Sequence, residues 1–435
     1  MRQFIASIAL MIVALPAWAA TEVTEVTSPG GIKAWLVQEH SIPFVALELR
    51  FRGGGSLDQP GKRGATNLMV GLLEEGAGAL DSQGFARARE ALAAEFGYDV
   101  SADALSISAR FLTENRDEAV TLLRDSLIMP TFDAASIERV RGQVTAGLLS
   151  NAKDPNDIVR LRYNEMAFGA HPYGSSLSGT LESVAALTRE DIVAAHQGAM
   201  ARDRIYVGAV GDISAEDLGL LLDQLLGDLP ETGAALPAKV AYGLAGGVTV
   251  VDFDTPQSVV RFGHGGIKRD DEDFFAAYVL NVVLGGGGFE SRLMTEVREK
   301  RGLTYGVYSS LVPRDLSEMY LGSVASANDR VAEAIEVIRD EWTKMAEHGV
   351  TQEEMARAKT YLTGAYPLRF DGNGTIANIM VGMQMDDLPV DYIATRNSKV
   401  EAVTLDDVNR VAKRILRPQD LHFVVVGKPV GLTSE

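Results

Sequence analysis

An α+β fold built twice, each copy an antiparallel-rich β-sheet packed against α-helices, is predicted by three observations. The first is an internal repeat. Glu118-Ala-Val-Thr-Leu-Leu-Arg-Asp125 resembles Glu333-Ala-Ile-Glu-Val-Ile-Arg-Asp340, and Ile137-Glu-Arg-Val-Arg-Gly-Gln-Val-Thr145 resembles Met355-Ala-Arg-Ala-Lys-Thr-Tyr-Leu-Thr363. The two pairs keep their order and lie roughly 215 residues apart, which points to duplication. The second is periodicity, which switches between the period of a strand and that of a helix within each copy. The third is a Pro- and Gly-containing stretch, Pro230-Glu-Thr-Gly-Ala-Ala-Leu-Pro237 through Gly243-Leu-Ala-Gly-Gly247, that reads as a linker between the copies.

The elements follow in order. Residues 44–51 alternate apolar and polar side chains as a half-buried strand does. Residues 65–75 read as a helix, with Ala65, Leu68, Met69, Leu72 and Leu73 on one stripe. Residues 105–111 and 204–210 alternate again. In the second copy, 259–264, 304–311 and 422–426 are expected strands, and 273–284 and 331–347 expected helices. The boundary falls within 230–247, dividing a first domain, 21–235, from a second, 236–435.

A chain of 435 residues is long for one domain and comfortable for two, and 46% hydrophobic residues suffice for substantial cores. The formal net charge of -18, with both signs interspersed, lacks the basic footprint of a nucleic-acid binder. There are no cysteines, which excludes disulfides, thiolate metal sites, cysteine nucleophiles and a lipoprotein anchor. Residues 1–20 read as a secretory signal peptide. Arg2 supplies the positive start, 4–15 the apolar run, Pro16 a break, and Ala17-Trp18-Ala19 the small-x-small pattern before cleavage after Ala19 or Ala20. No later stretch approaches the length of a membrane span. The expected address is therefore the bacterial periplasm, as a soluble exported protein.

The most informative run is Leu284-Gly-Gly-Gly-Gly-Phe-Glu-Ser-Arg-Leu-Met-Thr-Glu-Val-Arg-Glu-Lys-Arg-Gly-Leu-Thr-Tyr-Gly-Val-Tyr-Ser309. Its glycines permit close backbone approach, and it lacks the G-K-[ST] ending of a phosphate loop. Arg298 should sit late in a helix begun near Ser291, Gly302 should cap it, and Tyr305 should open a strand with Tyr308 on the opposite sheet face.

This run resembles the signature of the pitrilysin/insulinase family of zinc peptidases, which includes mitochondrial processing peptidase and the respiratory-complex core proteins. Arg52-Gly-Gly-Gly-Ser-Leu-Asp-Gln-Pro-Gly-Lys-Arg-Gly64 and His171-Pro-Tyr-Gly174 extend the resemblance over essentially the whole mature chain. The resemblance implies two similar domains that form half of a clamshell, closed around a peptide by a second half. Catalytic members carry an inverted zinc motif, H-x-x-E-H, on a helix of the first domain, with a glutamate downstream as third ligand and the motif's own glutamate activating the zinc-bound water. Here Asn67 stands in place of the first histidine, Val70 in place of the base and Gly71 in place of the second histidine, while the third ligand's place falls near Gly147. Valine and glycine side chains offer no ligand, and asparagine is a poor one. No metal is expected in this chain. Glu74 lies too far along the helix, about 10 Å by rise per residue, to share an ion with Asn67.

In catalytic assemblies of the family an arginine and a tyrosine seven residues apart face the zinc from the opposing domain. By resemblance, Arg298 hydrogen-bonds substrate backbone and Tyr305 supports the carbonyl under attack, since a tetrahedral oxyanion needs donors fixed in advance. His40, His171, His196, His264, His348 and His422 are scattered and read as structural, although Asp271-Glu272-Asp273 forms an acidic run near His264. No G-x-S-x-G elbow occurs and no Ser/His/Asp set can be assembled. The expected function is that of a non-catalytic partner subunit in a periplasmic heterodimeric zinc peptidase. It would be inactive alone and supply Arg298 and Tyr305 to a homologous catalytic subunit that carries H-x-x-E-H and the zinc. The rival expectation is a purely structural or peptide-binding family member, and a third is an unusually liganded peptidase acting alone.

Overall fold

The structure is a computed structural model that describes residues 22–434; the expected export signal lies outside them. In the first half the chain runs β1 (Thr24–Thr27), β2 (Lys33–Gln38), β3 (Phe44–Arg52), α1 (Ala65–Val70), a short hairpin of β4 (Gly76–Ala77) and β5 (Leu80–Asp81), and α2 (Ser82–Ala91). It continues through β6 (Glu95–Val100), β7 (Ala104–Leu112), α3 (Arg116–Ile128), α4 (Ala134–Asn151), α5 (Pro155–Phe168), α6 (Leu181–Ala186), α7 (Arg189–Ala199), β8 (Ile205–Gly211) and α8 (Ala215–Leu226). No helix or strand occurs over 227–246. The second half runs β9 (Gly247–Asp252), β10 (Gln257–Gly265), α9 (Phe274–Asn281), β11 (Val307–Pro313), β12 (Glu318–Ala327), α10 (Val331–His348) and α11 (Gln352–Ala365). Then come α12 (Asn373–Met385), α13 (Tyr392–Ala402), α14 (Leu405–Ile415) and β13 (His422–Gly427).

The fold is α+β, as expected, with two antiparallel-rich sheets. Their orders are β1-β2-β8-β3-β7-β6 and β11-β12-β10-β13-β9. Leaving out β1 and reversing the second, they match strand for strand, and β2–β8 and β9–β13 are the parallel pairs of their sheets. The repeated sequence segments lie in α3 and α10 and in α4 and α11, at equivalent places after β7 and β12. Even the helix starts repeat: α7 and α14 each begin with a capping box, Thr188 with Asp191 and Thr404 with Asp407.

Each sheet packs helices on both faces, although Ser108 and Arg110 of β7 stay exposed. All six residues of β13 are buried, because successive side chains alternate between two cores. Phe423 and Val425 join the core beneath α9, α10 and α14, while Val424 and Val426 pack with Val159, Tyr163 and Phe168 of α5. That helix belongs to the first half. The exchange is mutual, since α12 of the second half lays Ala377 and Met380 against Val210 of β8, and Gln384 Nε2 donates to the Val207 carbonyl at 2.8 Å. Polar groups reinforce the junction. Arg52 Nη1 reaches Asp315 Oδ2 at 2.8 Å, and Tyr173 Oη accepts from Leu316 N at 3.1 Å.

Two expected elements change. The helix over 65–75 stops at Val70, and 71–74 continue as tight turns, with Leu72 N on the Met69 carbonyl and Leu73 N on the Val70 carbonyl. The apolar stripe still buries Leu72 and Leu73, so burial outlasts the helix. The strand expected over 304–311 begins only at Val307. Thr304 Oγ1 donates to the Ala325 carbonyl and accepts from Gly306 N, holding 304–306 in a turn.

Candidate functional site

Asp58 organises the approach to α1. Its Oδ1 accepts from Thr66 N at 2.8 Å and Thr66 Oγ1 at 2.6 Å, and its Oδ2 from Gly64 N at 2.8 Å. The 52–64 motif therefore serves as the cap of this helix, and His171–Gly174 as part of the junction between halves. The four degenerate positions, Asn67 and Val70 on α1, Gly71 just after it and Gly147 on α4, hold no ligand set. Val70 is buried, Asn67 half-buried, and Gly71 and Gly147 are exposed. A Cβ at Gly71 would lie 2.9 Å from Val140 Cγ1 of α4, so a side chain of the neighbouring helix occupies space a larger residue would need. Glu74 is engaged elsewhere, 2.6 Å from Arg89 Nη1. Among the described residues no group of three or more His, Cys, Asp or Glu side chains is placed to hold a metal ion. The donors at these positions do not fit zinc, and no chemistry is derived through one.

The Arg298 and Tyr305 segment is built differently. After α9 the chain passes through a π-helical turn, Val282–Gly286, and a second, Met294–Glu299, carries Arg298. The wider winding is visible in Lys300 N, which donates to the Thr295 carbonyl five residues back at 3.0 Å. Such turns are rare and cost helix regularity, and they recur at functional sites. Within the first, a Cβ at Gly285 would lie 2.8 Å from Ser309 N. The missing side chain lets the loop lie against the start of β11, where Ser309 Oγ meets Asn281 Oδ1 at 2.9 Å.

Gly302, at φ +59°, ends the π turn, as expected of a left-handed cap. Its N–H donates to the Arg298 carbonyl at 2.8 Å, and Leu303 N to the Val297 carbonyl at 3.0 Å. Ser326 Oγ holds the Leu303 carbonyl at 2.6 Å, and Arg330 Nη2 the Arg301 carbonyl at 3.0 Å. The loop that carries Tyr305 is thus anchored at each of residues 301–304 and again at 306.

The two side chains it presents are free. Tyr305 is 88% exposed, and its hydroxyl bonds to no described residue. The Arg298 guanidinium makes no ion pair within the described residues and stacks 4.7 Å from the ring centroid of the exposed Phe289. Its neighbours are satisfied within the turn: Glu296 binds Lys300 at 2.6 Å and Arg301 at 2.8 Å. Partial burial works against the charge on Glu296, but those bonds outweigh it and hold its carboxyl below the usual range. Two unpaired donors on a braced turn can accept a carbonyl oxygen or a developing oxyanion from outside the chain. Tyr305 does not open a strand, so its orientation is not set by sheet alternation. Tyr308, on β11, packs its ring against Gly306, within 2.9 Å of where a Cβ would stand.

The described histidines have structural partners where they are buried. His264 Nδ1 meets the Gly265 carbonyl at 2.7 Å and its Nε2 accepts from Trp342 Nε1 at 3.0 Å, and burial lowers its pKa to about 4. His196 and His422 bond to the Leu127 and Ala245 carbonyls, and His40 pairs with Asp212 at the surface. The acidic run at 271–273 is not simply solvated. Asp273 is buried and, with Asp271, is gripped by Arg410 and Arg414 of α14. The sequence singled out Arg298 and Tyr305 but not Phe289, whose ring lies against the Arg298 guanidinium.

Two models of one peptidase family match the chain. The insulinase-type M16 peptidase model covers 33–181, and the M16 peptidase inactive domain covers 186–362. Among relatives, a non-peptidase homolog, YmxG, of Helicobacter pylori is 28% identical over 390 residues, spanning 89% of this chain and 90% of its own. An uncharacterized zinc protease of Streptomyces coelicolor is 28% identical over 410 residues, spanning 91% of this chain and 87% of its own. Among solved structures, a peptidase M16 inactive domain from Pseudomonas fluorescens superposes with a TM-score of 0.87 at 28% identity, covering 95% of this chain and 100% of its own.

Proposed function

The chain belongs to the insulinase-like M16 peptidase family as a member of inactive type, and we propose that it acts as the non-catalytic subunit of a heterodimeric zinc peptidase in the periplasm. The partner carries the H-x-x-E-H helix and the metal. This chain closes the other half of the substrate chamber and directs Arg298 to the substrate backbone and Tyr305 to the carbonyl under attack. One observation carries the reading: a guanidinium and a phenol, without ion pair or hydrogen bond among the described residues, sit on a π turn and the loop after it, which are braced by four hydrogen bonds, while the family's metal positions hold Asn67, Val70, Gly71 and Gly147. Donors fixed before the reaction lose no freedom during it, which is what makes them useful to a tetrahedral intermediate.

The test is co-expression with a homologous subunit that retains the metal motif, followed by peptide hydrolysis assays on the purified mixture. Tyr305→Phe and Arg298→Ala should each reduce kcat by about 10²–10³, the effect of removing one such donor, without altering co-elution. Equal activity of the partner without this chain would refute the reading. Variants that assemble and cleave normally would instead support a purely structural or peptide-binding role.

A further inference from the structure

A second cleft, of about 390 Å³, lies where β3 of the first half meets α9, α12 and α13 of the second. Four arginines line it, Arg50, Arg269, Arg369 and Arg396, against one carboxylate, Asp386. In a chain of net charge -18 such an excess is not the background composition of the surface.

Only one of the four forms an ion pair, the half-buried Arg269 with Asp386, and the one fully buried arginine, Arg396, has none. Arg396 is 4% exposed, yet it bonds to the Leu362 carbonyl at 2.7 Å and to Asn397, with no carboxylate. The rings of Tyr366 and Tyr278 flank its guanidinium at 4.5 and 5.5 Å. Arg269 lies 4.3 Å from the Phe274 ring and 5.5 Å from that of Tyr392, donates from Nη2 to Tyr392 Oη at 2.7 Å, and meets Asp386 at 3.5 Å. Arg50 donates to the neutral Asn378 Oδ1 at 2.5 Å, and its Nε is buried with no partner at all. Arg369 is exposed at the mouth, and its side chain has no partner among the described residues. Burying a cation without a counter-charge is costly. Aromatic faces restrain Arg269 and Arg396 and leave part of their N–H donors unspent.

We propose that this cleft binds a small ligand bearing an oxyanion, phosphate or carboxylate, on a compact and partly apolar body. Guanidinium groups present paired N–H donors that match both oxyanions, and the tyrosine and phenylalanine faces accommodate the apolar part. The proposal is independent of the role given to Arg298, which lies beyond the far end of α9.

Isothermal titration of the purified full chain at low salt tests it, with phenyl phosphate and phenylacetate as probes. The expected result is one saturable site per chain for at least one probe, weakened tenfold or more by Arg369→Gln and by Arg50→Gln and unchanged by Arg298→Ala. Binding of one probe only assigns the oxyanion. Because Arg369 is exposed, its variant should keep the wild-type unfolding midpoint, so a loss of binding there is not a loss of fold. Absence of saturable binding for both probes, or equal affinity in the arginine variants, overturns the proposal.

Discussion

Replacing Gly302 tests whether the Arg298–Tyr305 loop is a preformed device. The residue holds φ +59°, and a Cβ built on it meets nothing within 4 Å. Steric packing therefore contributes nothing, and the cost of Gly302→Ala is the backbone cost alone, about 1–2 kcal/mol for a left-handed L-residue. Asparagine tolerates this conformation, so Gly302→Asn should cost only a fraction of that. The energy falls on a local structure, the two bonds from Gly302 N and Leu303 N to the Arg298 and Val297 carbonyls. Hydrogen exchange read by mass spectrometry should show about five- to thirtyfold loss of protection over 302–306 in the alanine variant, and little loss in the asparagine variant. Helices α10 and α14 should exchange as in wild type. Peptide hydrolysis by the assembled complex should follow the same order, glycine above asparagine above alanine. Unchanged protection in Gly302→Ala would show that the loop does not depend on its left-handed cap. A loss spread over the whole second half would show that the site is not a local unit.

Three further outcomes follow from other residues. Restoring the family motif by Asn67→His, Val70→Glu and Gly71→His together should not give stoichiometric zinc by elemental analysis, because Gly147 still supplies no carboxylate. The side chain forced against Val140 should cost about 1–3 kcal/mol in urea unfolding. His264, held near pKa 4 by burial against 6.5 in the open chain, makes the unfolded state bind a proton that the folded state refuses between those values, so its contribution falls as pH drops through that window. Between pH 7 and 4.5 wild type should lose about 2 kcal/mol relative to His264→Gln. The comparison must be differential, since burial raises Glu48 to about 7 and Asp315 to about 6 and these acids act in the opposite sense; parallel stability curves for the two proteins would refute it. Finally, Met380→Ala should destabilise by about 2–5 kcal/mol and free α12 from β8, read as faster exchange in both; a loss confined to α12 would show that β8 does not need the crossing helix.

Much of the molecule is written in local order. The match of Glu118–Asp125 with Glu333–Asp340 announced two equivalent helices because each must present one apolar stripe to its own sheet. The valine-rich run at 422–426 read as a strand because only extended chain buries such residues on two faces. The absence of zinc ligands at Asn67, Val70, Gly71 and Gly147, and the spacing from Arg298 to Tyr305, required only the identity of residues. Long-range pairing left no such trace. Nothing in Val424 or Val426 says that the helix covering them is α5 from the other half, nor does Val210 name Met380, since an apolar side chain specifies burial and not a partner. The close approach of Gly285 to Ser309 of β11 is equally silent in the sequence, since it ties a π turn to a strand more than twenty residues later. The arginine cleft is further still from legibility. Arg50 lies in an ordinary strand and Arg396 in an ordinary helix, and only the meeting of the two halves brings them to one cleft.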